Sequence, residues 1–335
     1  MKMMILKPHY FKFSFLLLLI SCKPLHFKEQ FRQNHAIGKH SRALSHSGLE
    51  TYVAGKDGVY SFIVSDKIIL TDSVENAEDI RDLHLIGSNL LLLNSGNHGL
   101  IWKIEGDEKK VVYQKDSVFL DGFDFWDENR GIAYGDPVNG KMFLLTTENG
   151  GNTWDQVASE NIPSALQNEA GFAASGTGVR CLPNGVAYIS TGVSDVSRLL
   201  KTSDFGEHWT AINTPIKSGE SYGIYSMYFW SEQEGMIIGG SYLHPEDNQQ
   251  ICYYTDDGGE NWKDRSKGLG GYISCIDAYD DLIVVTGRMG TYYSVNRGEK
   301  WNLLFSDKFY SVDVEEYSIA FSGKNGAVLI GTYKF

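Results

Sequence analysis

Four short stretches with one residue pattern constrain the fold of this chain more than any other feature. Aligned on a closing tryptophan, they read TENGGNTW, TSDFGEHW, TDDGGENW and SVNRGEKW, and they end at Trp154, Trp209, Trp262 and Trp301. Each begins with a hydroxyl residue and has glycine at its fifth position. The third position holds an acid or an amide, at Asn149, Asp204, Asp257 and Asn296. We call these stretches the repeated turns.

This order of residue types suits a tight hairpin. The Asp or Asn side chain accepts hydrogen bonds from backbone N–H groups just ahead of it. Glycine supplies the positive φ that such a turn requires, and the tryptophan opens the next strand and buries a large apolar face. Short β-rich runs flank each copy, as KMFLLT and WDQVA do for the first. The pattern predicts four hairpins in which these residues have a structural role.

The repeated turns resemble the Asp-box, also called the bacterial neuraminidase repeat (S/T-x-D-x-G-x-x-W). Asn149 and Asn296 depart from it at the acidic position, where an amide makes the same kind of turn bond. The resemblance implies a β-propeller, since the motif occurs on the propellers of sialidases, sortilin-type receptors and photosystem II stability/assembly factor-like proteins. EAGFAASGTGVR and GIYSMYFWSEQEGMIIGGSY also look like the last group, whose bacterial members often carry the label oxidoreductase. No G-x-G-x-x-G between a strand and a helix supports that label in this sequence.

Strand-rich units recur along the chain at a spacing of roughly 35–55 residues, which is in the range of propeller blades. The seventh unit has residues for three strands only, whereas residues 25–33 have one strand and no blade of their own. The sequence therefore predicts an all-β, seven-bladed propeller whose N-terminal strand completes the last blade. The predicted blades lie near 42–74, 78–116, 120–157, 169–214, 221–266, 271–306 and 309–335.

The N-terminus has the features of an export signal. Its first twelve residues contain three lysines and no acid, and the apolar run FSFLLLLIS that follows is too short to span a bilayer. The run leads into Leu-Ile-Ser-Cys22, which looks like a bacterial lipobox. We expect residues 1–21 to be a lipoprotein signal peptide and lipidated Cys22 to anchor the protein in the bacterial cell envelope, as a periplasmic or outer-membrane lipoprotein. A secretory signal with a chance cysteine is the alternative.

Residues 22–335 are expected to form one propeller domain, with 22–41 as anchor and closing strand. The full chain has a net charge of −12, and removal of residues 1–21 leaves 27 basic and 42 acidic residues, a net charge of −15. So acidic a chain is a poor candidate for binding nucleic acid. The remaining cysteines, at 181, 252 and 275, lack metal-site spacing. The sequence predicts no metal, no cofactor and a monomer.

In a propeller, the repeated turns join the third and fourth strands and lie on one face, here called the bottom. Ligands usually enter at the opposite, top face, which is formed by the loops between the second and third strands and between blades. Mixed charges around such a mouth fit a polar small molecule or a peptide end. The small residues of NEAGFAASGTGVR (168–180) predict an inner strand close to the axis. The residues predicted to converge on the top mouth are Arg42, Arg81, Asp136, Glu169, Arg180, Tyr242 and Arg288.

Two classes of function remain open. The first is a non-catalytic, lipid-anchored scaffold, resembling the assembly factors, that binds a protein, a peptide or a small polar ligand. The second is a glycan-directed protein, either a lectin or a sialidase-like hydrolase in which Arg42, Arg81 and Arg288 form the arginine triad. Separately, Asp136 and Glu169 are candidates for a carboxylate pair in acid/base work; the alternative is structural, with Glu169 bound to backbone amides at the blade junction and Asp136 fixing a turn. No G-x-S-x-G, H-E-x-x-H or P-loop motif is present. We favour the scaffold on sequence grounds; a rim rich in Trp and Tyr with paired carboxylates would favour the glycan-directed protein.

Overall fold

The computed structural model describes residues 24–34 and 39–335 and shows a seven-bladed β-propeller. Seven four-stranded antiparallel sheets surround a central channel, and the inner strands of neighbouring blades pack against one another. The fold class predicted from the sequence is therefore confirmed. The predicted signal peptide and Cys22 lie outside the described residues. Within the described ranges, no helix is long and apolar enough to cross a membrane.

Blades 1 to 3 are each built from four consecutive strands, ordered from the channel outward. Blade 1 contains β2 (Ser41–Ser47), β3 (Glu50–Gly55), β4 (Val59–Val64) and β5 (Lys67–Ser73). Blade 2 contains β6 (Ile80–Ile86), β7 (Asn89–Asn94), β8 (His98–Glu105) and β9 (Glu108–Asp116). Blade 3 contains β10 (Leu120–Phe125), β11 (Gly131–Val138), β12 (Lys141–Thr147) and β13 (Asp155–Gln156).

Blades 4 to 6 follow the same plan, and two short 3-10 helices, Ser159–Asn161 and Pro183–Gly185, lie in the connections of blades 3 and 4. Blade 4 contains β14 (Val179–Cys181), β15 (Ala187–Ser190), β16 (Arg198–Thr202) and β17 (Thr210–Asn213). Blade 5 contains β18 (Tyr222–Phe229), β19 (Gly235–Ser241), β20 (Cys252–Thr255) and β21 (Lys263–Asp264). Blade 6 contains β22 (Ile273–Tyr279), β23 (Leu282–Gly287), β24 (Gly290–Ser294) and β25 (Asn302–Phe305).

Blade 7 is assembled from both ends of the chain. It contains β26 (Phe309–Val314), β27 (Ser318–Gly323) and β28 (Val328–Lys334), and β1 (His26–Gln33) is its outer strand. β1 runs antiparallel to β28, from His26 opposite Lys334 to Gln33 opposite Val328. Phe27 packs edge-on against Phe305 and Phe321, with ring centroids 5.7 and 6.1 Å apart. The predicted closure of the ring by the N-terminal strand is thus confirmed.

Side-chain hydrogen bonds hold the repeated turns. In the first, Thr147 Oγ1 accepts the Gly151 N–H at 3.0 Å, and Asn149 Oδ1 accepts the Thr153 N–H at 3.0 Å. The bond from the backbone N–H of the seventh residue to the side-chain oxygen of the third recurs in the other three turns, at 3.0, 2.8 and 3.1 Å. Each turn therefore satisfies its own backbone donors and fixes the third and fourth strands of its blade in register.

The tryptophan after each turn packs against the preceding blade. Trp154 of blade 3 packs in one cluster with Leu91 and Leu93 of blade 2, and Trp209 of blade 4 packs with Ile132 of blade 3. The turns occur only in blades 3 to 6. Blades 1 and 2 have two-residue connections at this place, and in blade 7 the two strands belong to opposite ends of the chain. The tryptophans therefore join neighbouring blades in those blades where the connection between the third and fourth strands is long.

Candidate functional site

Six inner strands share an irregularity near their top ends. In each, one residue is skipped in the pairing with the second strand of the blade. A bulge of this kind leaves the extra residue unpaired and re-aims its side chain. The skipped residues are Arg42, Arg81, Asp121, Tyr225, Ser274 and Tyr310.

All but Ser274 of the skipped residues line a cavity of about 430 Å³ at the top of the channel, which we call the top pocket. Its volume is within the range typical of small-ligand sites. Repeated bulges therefore deliver charged and aromatic side chains from five blades into one space. The pocket is lined by Arg42, Arg81, Phe119, Asp121, Asp136, Gly171, Phe172, Ala173, Ala174, Tyr225, Tyr242, Tyr272, Arg288 and Tyr310.

The floor of the top pocket is residues 170–178, which we call the channel segment. The carbonyl groups of Ala173 and Ala174 accept hydrogen bonds from Arg81 and Arg42, and Ser175 Oγ donates to the Ser274 carbonyl at 2.9 Å. These contacts reach blades 1, 2 and 6. The predicted inner strand at 168–180 is wrong for most of its length, because only Val179–Cys181 pairs as a strand. The small residues of the channel segment instead fit the narrow space between the blades.

A glycine allows the channel segment to approach blade 2. Gly176 has φ +78°, and a Cβ atom there would lie 2.2 Å from Oδ1 of Asp82. On the top side, residues 171–174 line the top pocket, whereas Ser175, Gly176 and Thr177 line a second cavity of about 400 Å³ on the bottom side. The channel segment therefore separates the top pocket from the cavity at the bottom of the channel, which we call the bottom cavity.

The top pocket contains five of the seven residues predicted to converge there: Arg42, Arg81, Asp136, Tyr242 and Arg288. Their role in binding remains a prediction. Sequence reasoning missed most of the aromatic lining, namely Phe119, Phe172, Tyr225, Tyr272 and Tyr310. An alignment of the inner strands would have found two of these tyrosines. In Ile-Tyr225-Ser and Phe-Tyr310-Ser, as in Ser-Arg42-Ala, the skipped residue precedes a small one.

Glu169 does not belong to the top pocket, and its prediction as a mouth residue is wrong. Its side chain is buried against Arg198, whose Nε donates to Oε1 at 2.8 Å. Burial alone would raise the pKa of Glu169, but hydrogen bonds from Arg198, the Leu166 N–H and the Thr191 hydroxyl outweigh it and lower the pKa. The group is a structural ion pair, so the predicted Asp136–Glu169 acid/base pair is not formed.

Arg180 is also displaced from its predicted place. It lines the bottom cavity because the chain has passed through the channel before reaching it, and its guanidinium lies 4.5 Å from the Tyr228 ring centroid. Burial raises the pKa of Asp277 in this cavity to about 6, although Arg180 opposes the shift. The cavity is rich in carboxyl groups, with Asp82, Asp124, Asp277, Asp313 and Glu315 in its lining. Burial raises the pKa values of Asp82 and Asp313 well above their usual range, which favours their neutral forms.

The arginines of the top pocket create a field suited to an anion. Arg42 lies 4.1 Å above the Tyr310 ring, and its buried Nε has no hydrogen-bond partner. Burial and the neighbouring charge of Arg81 lower the pKa of Arg42. Arg288 is exposed and donates to the Tyr242 carbonyl at 2.8 Å. A carboxylate placed among these groups would accept hydrogen bonds from the exposed Arg288 guanidinium and relieve the repulsion between Arg42 and Arg81.

Two carboxylates from blade 3 share the top pocket with the arginines. Asp136 Oδ1 accepts the Gly171 N–H at 3.1 Å. Asp121 is only 1% exposed, and no side chain donates a hydrogen bond to its carboxylate oxygens, although the nearby Ala173 N–H lowers its pKa slightly against the effect of burial. Burial raises the pKa of Asp121 well above its usual value, and the nearby Asp136 adds to the shift. Asp121 therefore favours its neutral form in the folded protein.

We expect Asp121→Asn to stabilise the protein above neutral pH. In the unfolded chain an Asp ionises near pH 4, whereas the raised pKa keeps Asp121 protonated in the fold, so wild-type stability falls as the pH rises through this window. The gain in the free energy of unfolding should be about 1–3 kcal/mol at pH 8 and should vanish near pH 4. Urea unfolding across this range measures it, with exposed Asp155→Asn as the control. A gain that is constant with pH would contradict the assignment.

The buried tyrosines of the top pocket are neutral at physiological pH. Burial raises the pKa values of Tyr225 and Tyr272, despite the opposing charge of the arginines around Tyr272. Both phenols therefore remain protonated at neutral pH. The pocket has donors for an anion and aromatic faces for apolar groups.

One cluster among the described residues has the spacing of metal ligands, formed by Asp204, Glu207 and His208. It lies in the second repeated turn. Asp204 Oδ1 already accepts the Thr202 hydroxyl at 2.8 Å and the His208 N–H at 3.0 Å. These bonds explain the cluster as part of the turn.

Comparison with known proteins supports the fold and leaves the family open. No protein-family model matches the sequence, and no curated protein matches it in sequence. Solved structures do match. A structure of YCF48 bound to a D1 peptide has a TM-score of 0.62 at 12% identity, with 91% of this chain and 94% of that chain covered. The chain shares its fold with YCF48, a photosystem II assembly factor.

Two further structures show the same likeness. YCF48 from Cyanidioschyzon merolae has a TM-score of 0.60 at 13% identity, with 90% of this chain and 98% of that one covered. The computationally designed protein Ika8 has a TM-score of 0.58 at 11% identity, with 91% of this chain and 99% of that chain covered. Since a designed protein matches almost as well, the likeness is one of architecture, and function has to be argued from the site.

Proposed function

We propose that this protein is a non-catalytic scaffold that binds a protein partner through a peptide end seated in the top pocket. The observation that carries the proposal is the convergence of Arg42, Arg81 and Arg288, from three blades, on one pocket with a closed floor. A peptide's terminal carboxylate is a planar anion that guanidinium groups bind with paired hydrogen bonds. The YCF48 structure with a D1 peptide supports this proposal by analogy of fold.

The lipid anchor belongs to the same proposal. Lipidation of Cys22 would hold the scaffold at a membrane of the bacterial cell envelope and restrict its search for partners to that surface. Metabolic labelling with an alkyne fatty acid, compared between the wild type and Cys22→Ser, tests it. Label on the wild type alone is expected; equal label on both would contradict lipidation at Cys22.

Arg288→Met should weaken binding of peptides with a free carboxylate by about tenfold, as expected for loss of one charge-assisted hydrogen bond. Arg288 is exposed, so the substitution leaves the packing of the blade intact. The probe is a degenerate library of biotinylated decapeptides, prepared with free and with amidated C termini. Wild-type protein should retain the free library and lose most of the amidated one.

The control for this experiment is Arg130→Met. Arg130 is an exposed arginine near the repeated turns, paired with Asp127 at 2.7 Å, and its loss removes the same charge from the opposite face. Equal retention of the free and amidated libraries by wild-type protein would overturn the proposal. If Arg130→Met weakened peptide binding as much as Arg288→Met, the effect would be explained by the loss of one positive charge anywhere on the protein and not by a contact in the top pocket.

A glycan-directed protein is the second candidate, and one observation favours it. Four tyrosines and two carboxylates line the top pocket, a combination that also suits a sugar acid. Sialyllactose tests this alternative, by calorimetry for binding and by release of free sialic acid for hydrolysis. Two results together would show that the ligand is a glycan and not a peptide. Sialyllactose binding would be lost in Arg42→Met, and wild-type protein would retain the free and amidated peptides equally.

A further inference from the structure

Three apolar side chains stand exposed on the top face beside the top pocket. Leu243 is 52% exposed, Tyr242 42% and Met289 38%. They come from neighbouring loops, β19–β20 of blade 5 and β23–β24 of blade 6. We call Tyr242, Leu243 and Met289 the apolar shelf.

The shelf is continuous with the pocket. Tyr242 lines both, and Arg288, the neighbour of Met289, lines the pocket and donates to the Tyr242 carbonyl at 2.8 Å. Clusters of exposed apolar side chains are uncommon on soluble proteins outside binding sites. A ligand held by the arginines and leaving the pocket past Tyr242 would meet the shelf first.

Hydrogen bonds hold the loop that carries Leu243 in place. Ser241 Oγ accepts the N–H groups of Leu243 and His244 at 3.2 and 3.0 Å, and the Pro245 carbonyl accepts the Tyr272 N–H at 2.9 Å. Further along, Asp247 pairs with Lys217 at 2.9 Å. The apolar side chains are thus presented by an ordered loop, which lowers the entropic cost of binding.

We propose that the apolar shelf binds the residues just before the C-terminal carboxylate of the partner, and that the partner therefore ends in an apolar segment. This inference rests on the proposed function. Charge complementarity sets the direction: the carboxylate meets the arginines, so the preceding residues leave across the shelf. An extended chain advances about 3.3 Å per residue, so apolar side chains within about four residues of the end reach it.

The test uses fluorescein-labelled decapeptides of Gly and Ser with a free C terminus, carrying either Leu or Ser at the second to fourth positions from the end. Anisotropy should show about tenfold tighter binding of the Leu peptide to the wild type. The ratio should fall towards one in Leu243→Ser/Met289→Ser. Leu303→Ser is the matched control, since Leu303 is 59% exposed on the outer strand of blade 6.

The outcomes separate the two proposals. If free peptides bind better than amidated ones but Leu and Ser peptides bind equally, the shelf inference fails and the proposed function stands. If amidation has no effect, the proposed function fails. A Leu-to-Ser ratio that survives in the double variant places the apolar contact elsewhere and overturns the inference. Self-association of the wild type that the double variant abolishes would make the shelf an interface between copies of this chain, which also overturns it.

Discussion

Deletion of residues 25–33 is expected to lower the midpoint of thermal unfolding by about 10 °C. The deletion removes the outer strand of blade 7 and exposes the edge of β28 along its pairing from Lys334 to Val328. It also uncovers Phe305 and Phe321, against which Phe27 packs. We estimate a loss of about 5 kcal/mol from the buried apolar side chains and the strand pairing. A domain of this size shifts by about 2 °C per kcal/mol.

Circular dichroism at 218 nm follows the transition. Gln30→Ala is the control, because Gln30 is exposed and skipped in the pairing of β1 with β28, and its midpoint should stay within about 1 °C. Phe27→Ser should lie between the control and the deletion. An unchanged midpoint in the deletion variant would show that the ring closes without β1.

Loss of either partner of the Glu169–Arg198 pair should cost about 3–5 kcal/mol of unfolding free energy, because a buried charge is left without its counter-ion. Both side chains are more than nine-tenths buried, and Arg198 Nη2 also donates to the Ser164 carbonyl at 3.0 Å. Glu169→Gln and Arg198→Met are the single variants. The double variant should be less destabilised than the sum of the two, since it leaves no unpaired charge.

Denaturant unfolding at pH 7 measures these differences, with Glu232→Gln as the control. Glu232 of blade 5 forms a surface pair with Lys201 of blade 4 at 2.8 Å, and its loss should cost less than about 1 kcal/mol. The lowered pKa of Glu169 makes its contribution complete above the pKa of an unfolded Glu, near 4.3. The contribution disappears as the pH falls through the folded value. Additive single effects would argue against a coupled pair.

Local sequence was enough to predict the blades and their closure. Each repeated turn contains its own acceptor, its glycine and its tryptophan within eight residues, so the hairpin depends on no distant partner. A blade needs four strands, the C-terminal unit has three, and residues 25–33 form one strand without a blade. This count alone predicted that the two ends of the chain pair. The geometry of a propeller then indicates which loops lie on the top face. From this, the sequence predicted that Arg42, Arg81 and Arg288 lie close together at the top of the channel.

The path of the channel segment could not be predicted from sequence. Its alanines and glycines suit an inner strand as well as an irregular crossing, and the choice depends on contacts with five other blades. Once the segment is inside the channel, Arg180 emerges on the bottom side and Glu169 stays at the blade 4 junction. Its partner Arg198 lies 29 residues further along, a separation at which sequence gives no sign of pairing.

The direction of β1 also fixes how the molecule would present itself to a surface. His26 pairs with the end of β28, at the bottom face, so the chain before β1 leaves the propeller on that side. If Cys22 carries lipid, three residues separate the anchor from β1, and the four steps from Cys22 to His26 reach at most about 14 Å. The bottom cavity with its carboxyl groups would then face the membrane. The arginine pocket and the apolar shelf would open towards the aqueous compartment, so partners would arrive from solution or from neighbouring proteins that project beyond the propeller.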